Sequence, residues 1–243
     1  MDLMNCWVLV TGGGSGIGRA IALAFAAEGS RVIIWGRDPA KLAEVVRQSS
    51  GAHPIVATPC DVTDRQSVFA QIEELERRDS LPDILVNSAG INIPNRTLDA
   101  MRAEDWDRIL AVNATGAFNT IFAVLPGMRR RGRGLIVNIV SIAGMRTVGF
   151  AGAAYCASKF ALSGFGRAVG LEERDHGIRV TNIFPGEVNT PILAHRPVPV
   201  PPERLARMLQ PEDVAALVIA VAKLPDRVVV PELVVLPTYQ EFT

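Results

Sequence analysis

Seven short apolar runs recur along the chain: 6–10 (CWVLV), 31–35 (RVIIW), 54–58 (PIVAT), 83–87 (DILVN), 135–140 (LIVNIV), 178–184 (IRVTNIF) and 228–235 (VVVPELVV). Each is rich in β-branched residues and continuous rather than alternating. That pattern predicts strands buried on both faces. Between them lie segments with helical character: 16–28, 39–49, 64–79, 104–129, 152–175 and 211–223. Several open on cap signals, such as Asp38-Pro39, Thr63 or Asp64, and Pro211 followed by Glu212 and Asp213. Strand–helix repetition of this kind predicts an α/β fold: a doubly wound, mostly parallel seven-stranded sheet in three layers, with helices on both faces. No linker or repeat divides residues 1–243, so one domain is expected.

Two segments break the rhythm. The basic run 129–134 (RRRGRG) reads as a helix end, where cations favour the dipole and glycine stops the helix. The proline-rich stretch 191–202 (PILAHRPVPVPP) cannot be a regular helix. It follows a late strand, where an open α/β sheet places its ligand crevice. A loop or lid near 190–209 is therefore expected.

Composition narrows the function classes. With 25 basic and 25 acidic residues the formal charge is zero, which leaves no electrostatic footprint for nucleic acid or an anionic membrane. Cys6, Cys60 and Cys156 are scattered, and His53, His176 and His195 are far apart. Neither a disulfide framework nor a metal site is expected, and a reducing, cytoplasmic setting is the simpler reading. The first ten residues lack a basic leader, and no uninterrupted apolar stretch of about eighteen residues stands out. Two scarcities are informative. There are only three lysines (Lys41, Lys159, Lys223) and two tyrosines (Tyr155, Tyr239).

The first run leads directly into Thr11-Gly12-Gly13-Gly14-Ser15-Gly16-Ile17-Gly18 and then a helix. Strand, glycine turn, helix is an arrangement that offers free backbone N–H groups to a pyrophosphate. Gly12 suits the tight turn, Gly16 a close phosphate, and Gly18 close helix–strand packing. Further along stand Asn87-Ser88-Ala89-Gly90, Val112-Asn113-Ala114-Thr115-Gly116, Val140-Ser141-Ile142-Ala143-Gly144, Tyr155-Cys156-Ala157-Ser158-Lys159 and Pro185-Gly186. On these motifs, in this order and over nearly the whole length, the chain resembles the short-chain dehydrogenase/reductase family in its single-domain, Rossmann-like branch.

The resemblance implies a nicotinamide cofactor held by Gly12, Gly14, Ser15, Gly16, Ile17 and Gly18 in the turn. Asp61 and Val62 would lie at the adenine, and Asn87, Ala89 and Gly90 after the fourth strand. Pro185, Gly186, Val188 and Thr190 would lie around the nicotinamide half. Tyr155 would act as general acid or base on an alcohol or carbonyl substrate. Lys159 would tune it and bind the nicotinamide ribose, Ser141 would hold the substrate oxygen, and Asn113 would hold a relay water. A nearby ammonium is expected to move the phenol pKa down from about 10. At the end of the second strand, Gly36-Arg37 stands where an NAD-selective acid usually sits. Arginine there favours NADP(H), with NAD(H) as the alternative.

Substrate identity is not legible. Candidates near the reacting centre are Ser141, Met145, Phe150, Tyr155 and Glu187, with Ile93, Pro94, Arg96, His195 and Arg196 around them. Arg96 or Arg196 is a candidate for a substrate carboxylate, although solvation is the plainer reading of each. Ser141 and Tyr155 are fourteen residues apart where many relatives have thirteen, so the shape of the loop 145–154 is open. The ending Val234-Val235-Leu236-Pro237-Thr238-Tyr239 looks like that of a mixed group including hydroxy-acid, serine and aldehyde-acting relatives. Two other readings are a catalytically silent NADP(H) sensor and an epimerase or dehydratase. The first predicts loss of Ser141, Tyr155 or Lys159, and the second a G-x-x-G-x-x-G turn. The sequence has neither feature. Segments 104–129 and 152–175 carry more apolar residues than one buried face requires, and since members of the family it resembles commonly pair through them, the resemblance implies a homo-oligomer, a tetramer or else a dimer.

Overall fold

The computed structural model describes residues 1–241; Phe242 and Thr243, part of the expected domain 1–243, lie outside the described residues. Seven strands form one sheet: β1 (Trp7–Thr11), β2 (Arg31–Gly36), β3 (Val56–Pro59), β4 (Ile84–Asn87), β5 (Gly134–Ile139), β6 (Ile178–Pro185) and β7 (Glu232–Val235). Their order is β3-β2-β1-β4-β5-β6-β7, and every pair is parallel. Parallel pairing requires crossovers, and the helices supply them: α1 (Gly16–Ala27), α2 (Pro39–Gln48), α3 (Arg65–Arg77), α4 (Ala103–Leu110), α5 (Gly116–Arg131), α6 (Ala153–Glu172), α7 (Pro202–Leu205) and α8 (Pro211–Lys223).

The continuous apolar runs are explained by two cores. Val8, Val10, Val32, Ile34, Ile84 and Val86 turn to one face, against Ile21 and Phe25 of α1 and Val214 and Val218 of α8. Their strand neighbours Leu9, Ile33, Trp35 and Leu85 turn to the other, against Val68 and Ile72 of α3 and Ile121 and Val124 of α5. Alternate residues point to opposite faces of a strand, so covering both faces demands an apolar residue at each position.

The last strand is shorter than its apolar run. Pro231 has no N–H for the ladder, and pairing with β6 begins at Glu232. The segment 104–129, which reads as one helix, is α4 and α5 joined by a π-turn at Ala111–Thr115. This continuous helical run from Ala103 to Arg131 corrects the expectation from the apolar stretches: it is long and apolar enough to cross a membrane by length and composition. More than half of its most apolar window is buried inside the fold, and α5 packs on the sheet as a core helix. At its end Arg129, Arg130 and Arg131 occupy the last turn, and Gly132 caps it at φ 63°.

Strand order reverses between β1 and β4, so their crossovers leave toward opposite faces. A crevice opens at the carboxyl ends of the strands at such a point. The glycine turn, Asn87–Gly90, Ser141 and Pro185-Gly186 all follow strand ends at that edge, whereas the basic run 129–134 leads into β5 at the opposite one.

Candidate active site

A cleft of about 450 Å³ runs over this edge, lined by Gly12, Ser15, Gly16, Ile17 and Gly90 at one end and Ser141, Tyr155, Lys159, Gly186 and Thr190 at the other. A second lobe extends over the ends of β2 and β3, lined by Gly14, Arg37, Lys41, Asp61, Val62 and Ala89.

The turn after β1 has the backbone that its glycines predict. Gly12 sits at φ 66°, a region that side chains disfavour. Gly18 packs so closely on the Gly12 carbonyl that a Cβ would collide with it. Gly18 therefore supports the turn from behind and does not line the cleft. Residues 15–17 open α1 toward the cleft, and Ser15 makes no side-chain cap to the helix start. Free N–H groups and the positive helix end suit phosphate oxygens.

At the end of β2 the two neighbouring charges have separate fates. The Asp38 carboxylate caps α2, accepting from the N–H of Ala40 at 3.0 Å and of Lys41 at 3.2 Å. Arg37 is exposed and lines both lobes with Lys41. Lys41 lies 3.7 Å from Asp38. Sequence reasoning missed Lys41, because helix periodicity places it on the surface and only the fold turns it toward Arg37. Asp61 closes its own turn, accepting from the N–H of Thr63 at 2.9 Å and its hydroxyl at 2.8 Å.

Buried amides brace the floor. Asn87 Nδ2 donates to Asn138 at 3.0 Å, Asn138 donates to Asn182 at 3.0 Å, and Asn182 donates to the Ser163 carbonyl of α6 at 3.0 Å. Thr120 of α5 donates to Asn87 at 2.7 Å. Asn87 thus lies beneath the cleft, within a chain that ties three strands to the helix bearing Tyr155. In a buried setting each amide left unpaired would cost about 1–3 kcal/mol. Asn138 and Asn182 carried no sequence signal, since each reads as one polar residue inside an apolar run.

Asn113 sits in the π-turn and is fully buried. Its side chain accepts from Ile91 N–H at 2.8 Å and donates to the Ile91 carbonyl and to Ser158 Oγ, each at 3.0 Å. π-turns often mark functional positions, and this one brings Asn113 against the Asn87–Gly90 loop and α6. Gly90 lies between Asn113 and Lys159, each 3.5 Å from where its Cβ would be.

Ser141 follows β5 at φ 139° and ψ 156°, a conformation that costs a non-glycine residue about 1–3 kcal/mol. Its hydroxyl accepts from Ala143 N–H at 3.1 Å and hydrogen-bonds the Tyr155 phenol. Tyr155 and Lys159 lie one turn apart in α6. The Lys159 ammonium is 5.7 Å from the Tyr155 ring centre and donates to the Ile139 carbonyl at 3.0 Å.

The expected drop in the Tyr155 pKa is not found. Burial pushes the phenol above the ordinary tyrosine range, against the opposing pull of the Ser141 hydrogen bond and the Arg96 charge. Burial also pulls Lys159 down to about 8. Low dielectric disfavours the charged form of each. A phenol held protonated is suited to giving its proton away.

The candidate substrate residues separate. Phe150 and Glu187 line the cleft beside Ser141 and Tyr155. Met145 does not: it packs inward on Ala117, Val140, Leu162 and Phe184. Its backbone ends the short turn Ile142–Gly144, which directs the side chain into that cluster. Pro185, Gly186, Val188 and Thr190 line the wall after β6.

Residues 190–208 form a closed loop over this end. Its ends are joined where Asn189 N–H donates to Leu209 O at 2.8 Å and Leu209 N–H to Glu187 O at 3.0 Å. Two short turns of helix, Pro191–His195 and α7, bracket the prolines. The Glu187 carboxylate is buried and engaged. It accepts from Arg196 at 2.9 Å, from Arg204 at 2.9 and 3.1 Å, and from the Tyr239 hydroxyl at 2.6 Å. These donors hold its pKa below the ordinary carboxylate range despite burial. Glu187 thus ties Arg196, Arg204 and Tyr239 together at this loop, with three of the four bonds on Oε2 and one on Oε1. Tyr239 had no sequence signal beyond its rarity.

Arg96 and Arg196 are not the solvated arginines of the plainer reading. Arg96 is 9% exposed, and Arg196 lies over the Phe150 ring at 4.8 Å. Among the described residues no group of three His, Cys, Asp or Glu side chains is placed to hold a metal ion.

Comparison with known proteins agrees with this geometry. The short chain dehydrogenase family model matches residues 6–198. A protein of Staphylococcus saprophyticus named only as an uncharacterized oxidoreductase is 34% identical over 239 residues, covering 98% of this chain and 99% of its own. Among solved structures, the closed form of a serine dehydrogenase complexed with NADP+ superposes with a TM-score of 0.87 at 30% identity, over 97% of this chain and 96% of the other. An alcohol dehydrogenase from the archaeon Thermococcus sibiricus, complexed with 5-hydroxy-NADP, gives 0.85 at 26% identity over 96% and 97%. The chain belongs to the short-chain dehydrogenase/reductase family of oxidoreductases.

Proposed function

We propose that this chain is an NADP(H)-dependent oxidoreductase that interconverts an alcohol and a carbonyl on a small molecule. The observation that carries the reading is the convergence of Ser141, Tyr155 and Lys159 at the end of a cleft that begins at the glycine turn. Cofactor phosphates fit the N-terminus of α1, with the adenine beside Asp61 and Val62. Arg37 and Lys41 suit a 2′-phosphate, since the Asp38 carboxylate is committed to capping α2. NADP-bound neighbours support the same choice; NAD(H) is the alternative.

Bound there, a reduced nicotinamide supplies hydride to the carbonyl carbon. Ser141 steadies the substrate oxygen as charge develops on it. Tyr155 gives that oxygen its proton, or takes it in oxidation. Lys159 stabilises the phenolate left behind. Asn113 holds the π-turn against Ile91 and Ser158, close to Lys159, where a relay to solvent would begin. The cleft and its lid, residues 190–209, act as one unit of a single domain, in a cytoplasmic protein with neither nucleic acid nor membrane as partner. Exposed Phe122 of α5, stacked on Phe118, which meets Phe165 of α6 at a tilt, together with exposed Phe160 of α6, gives α5 and α6 apolar surface suited to a homotetramer or a dimer. A monomeric mass by light scattering at micromolar concentration would refute that assembly.

The central test is Tyr155→Phe. It is expected to keep NADPH affinity while losing at least about two orders of magnitude in turnover. Undiminished turnover removes the mechanism.

A further inference from the structure

Arg96 is a buried cation with no buried anion. Its guanidinium donates Nε to the Ile93 carbonyl at 2.6 Å, Nη1 to Phe150 O at 2.9 Å and Nη2 to His195 O at 2.8 Å. All three acceptors are neutral backbone. No carboxylate among the described residues pairs with it. Arg196 differs: it pairs at 2.9 Å with the Glu187 carboxylate, which it shares with Arg204. Both line the cleft with Ser141 and Tyr155, and Arg96 is close enough to act on the phenol electrostatically. A guanidinium has five N–H donors, and three are spent here. The two that remain are one on each terminal nitrogen, so the side chain keeps donors for an anion. Burial of a charge against dipoles alone is unfavourable, and an incoming anion relieves it.

We propose that the substrate is an oxo acid, or the matching hydroxy acid, whose carboxylate binds Arg96 while its carbonyl or alcohol oxygen meets Ser141 and Tyr155. Arg96 also joins the loops at 93, 150 and 195, so anion binding and lid position are coupled through one side chain. The inference rests on the oxidoreductase reading and deepens it.

The test uses pyruvate, acetoacetate and levulinate, each paired with its methyl ester. Carbonyl and carboxylate are progressively farther apart along the series. Affinity for the enzyme–NADP+ complex is read by calorimetry, without turnover. At least one acid is expected to bind tenfold or more tighter than its ester, and Arg96→Gln is expected to abolish that preference, the acid losing at least tenfold more affinity than its ester, while NADP+ affinity stays within about threefold. Equal binding of acid and ester throughout the series overturns the proposal, as does a preference that survives in Arg96→Gln. If Arg96→Gln loses its cooperative melting transition, Arg96→Lys takes its place: retained charge must keep part of the preference, and its complete loss overturns the proposal. Failure of the underlying reading looks different, as absent NADPH binding or no NADPH oxidation with any carbonyl, charged or neutral.

Discussion

The two ends of the cleft are built in different ways. The cofactor end consists of strand termini and the turns that follow at once: 11–18 after β1, 36–38 after β2, 87–90 after β4. Each is short, and its residues are neighbours in sequence. The substrate end is gathered from far apart. Arg96, Phe150, His195, Glu187, Arg204 and Tyr239 meet only because three loops and the end of the chain cross there. The first end is held by backbone geometry on a rigid sheet. The second is held by side-chain hydrogen bonds and ion pairs around one buried carboxylate. A site made the first way is uniform across a family, whereas one made the second way is free to vary in what it accepts.

That contrast is breakable, and the largest effect is expected at the rigid end. Gly18→Leu puts a side chain into the Gly12 carbonyl. It should abolish measurable NADPH binding by fluorescence titration, with a clear loss of melting temperature. Retained affinity would mean that the turn is not held by this packing. Next is Arg37→Ala, which should weaken NADPH by about thirtyfold and NADH by less than threefold, on the scale of a charge-assisted phosphate contact of about 2 kcal/mol. Equal losses for both cofactors would remove the 2′-phosphate role.

At the other end, Glu187→Gln keeps shape but removes the charge that faces Arg196 and Arg204. Hydrogen exchange across 191–205 should accelerate about tenfold, and the amides of β1 should be unchanged. Uniform acceleration would point to global destabilisation instead of a freed loop.

The smallest effect concerns Lys159, held at about 8 by burial against an ordinary 10.5. Below pH 8 both folded and unfolded states carry the proton, and the folded state bears the full cost of a buried charge. Between pH 8 and 10.5 the folded lysine is neutral while the unfolded one still binds a proton. The unfolded state then holds more protons, so this group's contribution to stability rises with pH across that window. The melting temperature of the wild type relative to Lys159→Met should therefore increase by a few degrees from pH 8 to 10. Taking the difference removes the opposite slope from Cys6, whose thiol burial raises to about 12. A flat difference would place the ammonium in a more polar setting than the cleft provides.

Much of the fold was legible because parallel sheets impose a strong local signature. Among the described residues, all seven strands and every α-helix but α7 follow from runs of apolar residues and their caps, with α4 and α5 read as one. The misplaced boundaries have local physical causes: Pro231 delays β7, and the π-turn at Asn113 divides 104–129. The glycine turn and the Tyr155–Lys159 pair were legible for the same reason, since both depend on spacing along one element. Met145 was misjudged because a turn of three residues decides which way it points. Glu187 was placed near the reacting centre, but its four donors come from positions up to 52 residues away.

By itself, then, the sequence determined the parallel sheet, the glycine turn after β1 and the spacing that puts Tyr155 and Lys159 one turn apart on a helix. Each follows from short-range sterics and from the period of the hydrophobic pattern. Charge partners were decided by tertiary structure alone. It gave Arg196 and Arg204 the Glu187 carboxylate and left Arg96 with carbonyls. It also reversed the expected shift of Tyr155. Coulomb and desolvation energies depend on distance and burial in three dimensions, and spacing along the chain specifies neither.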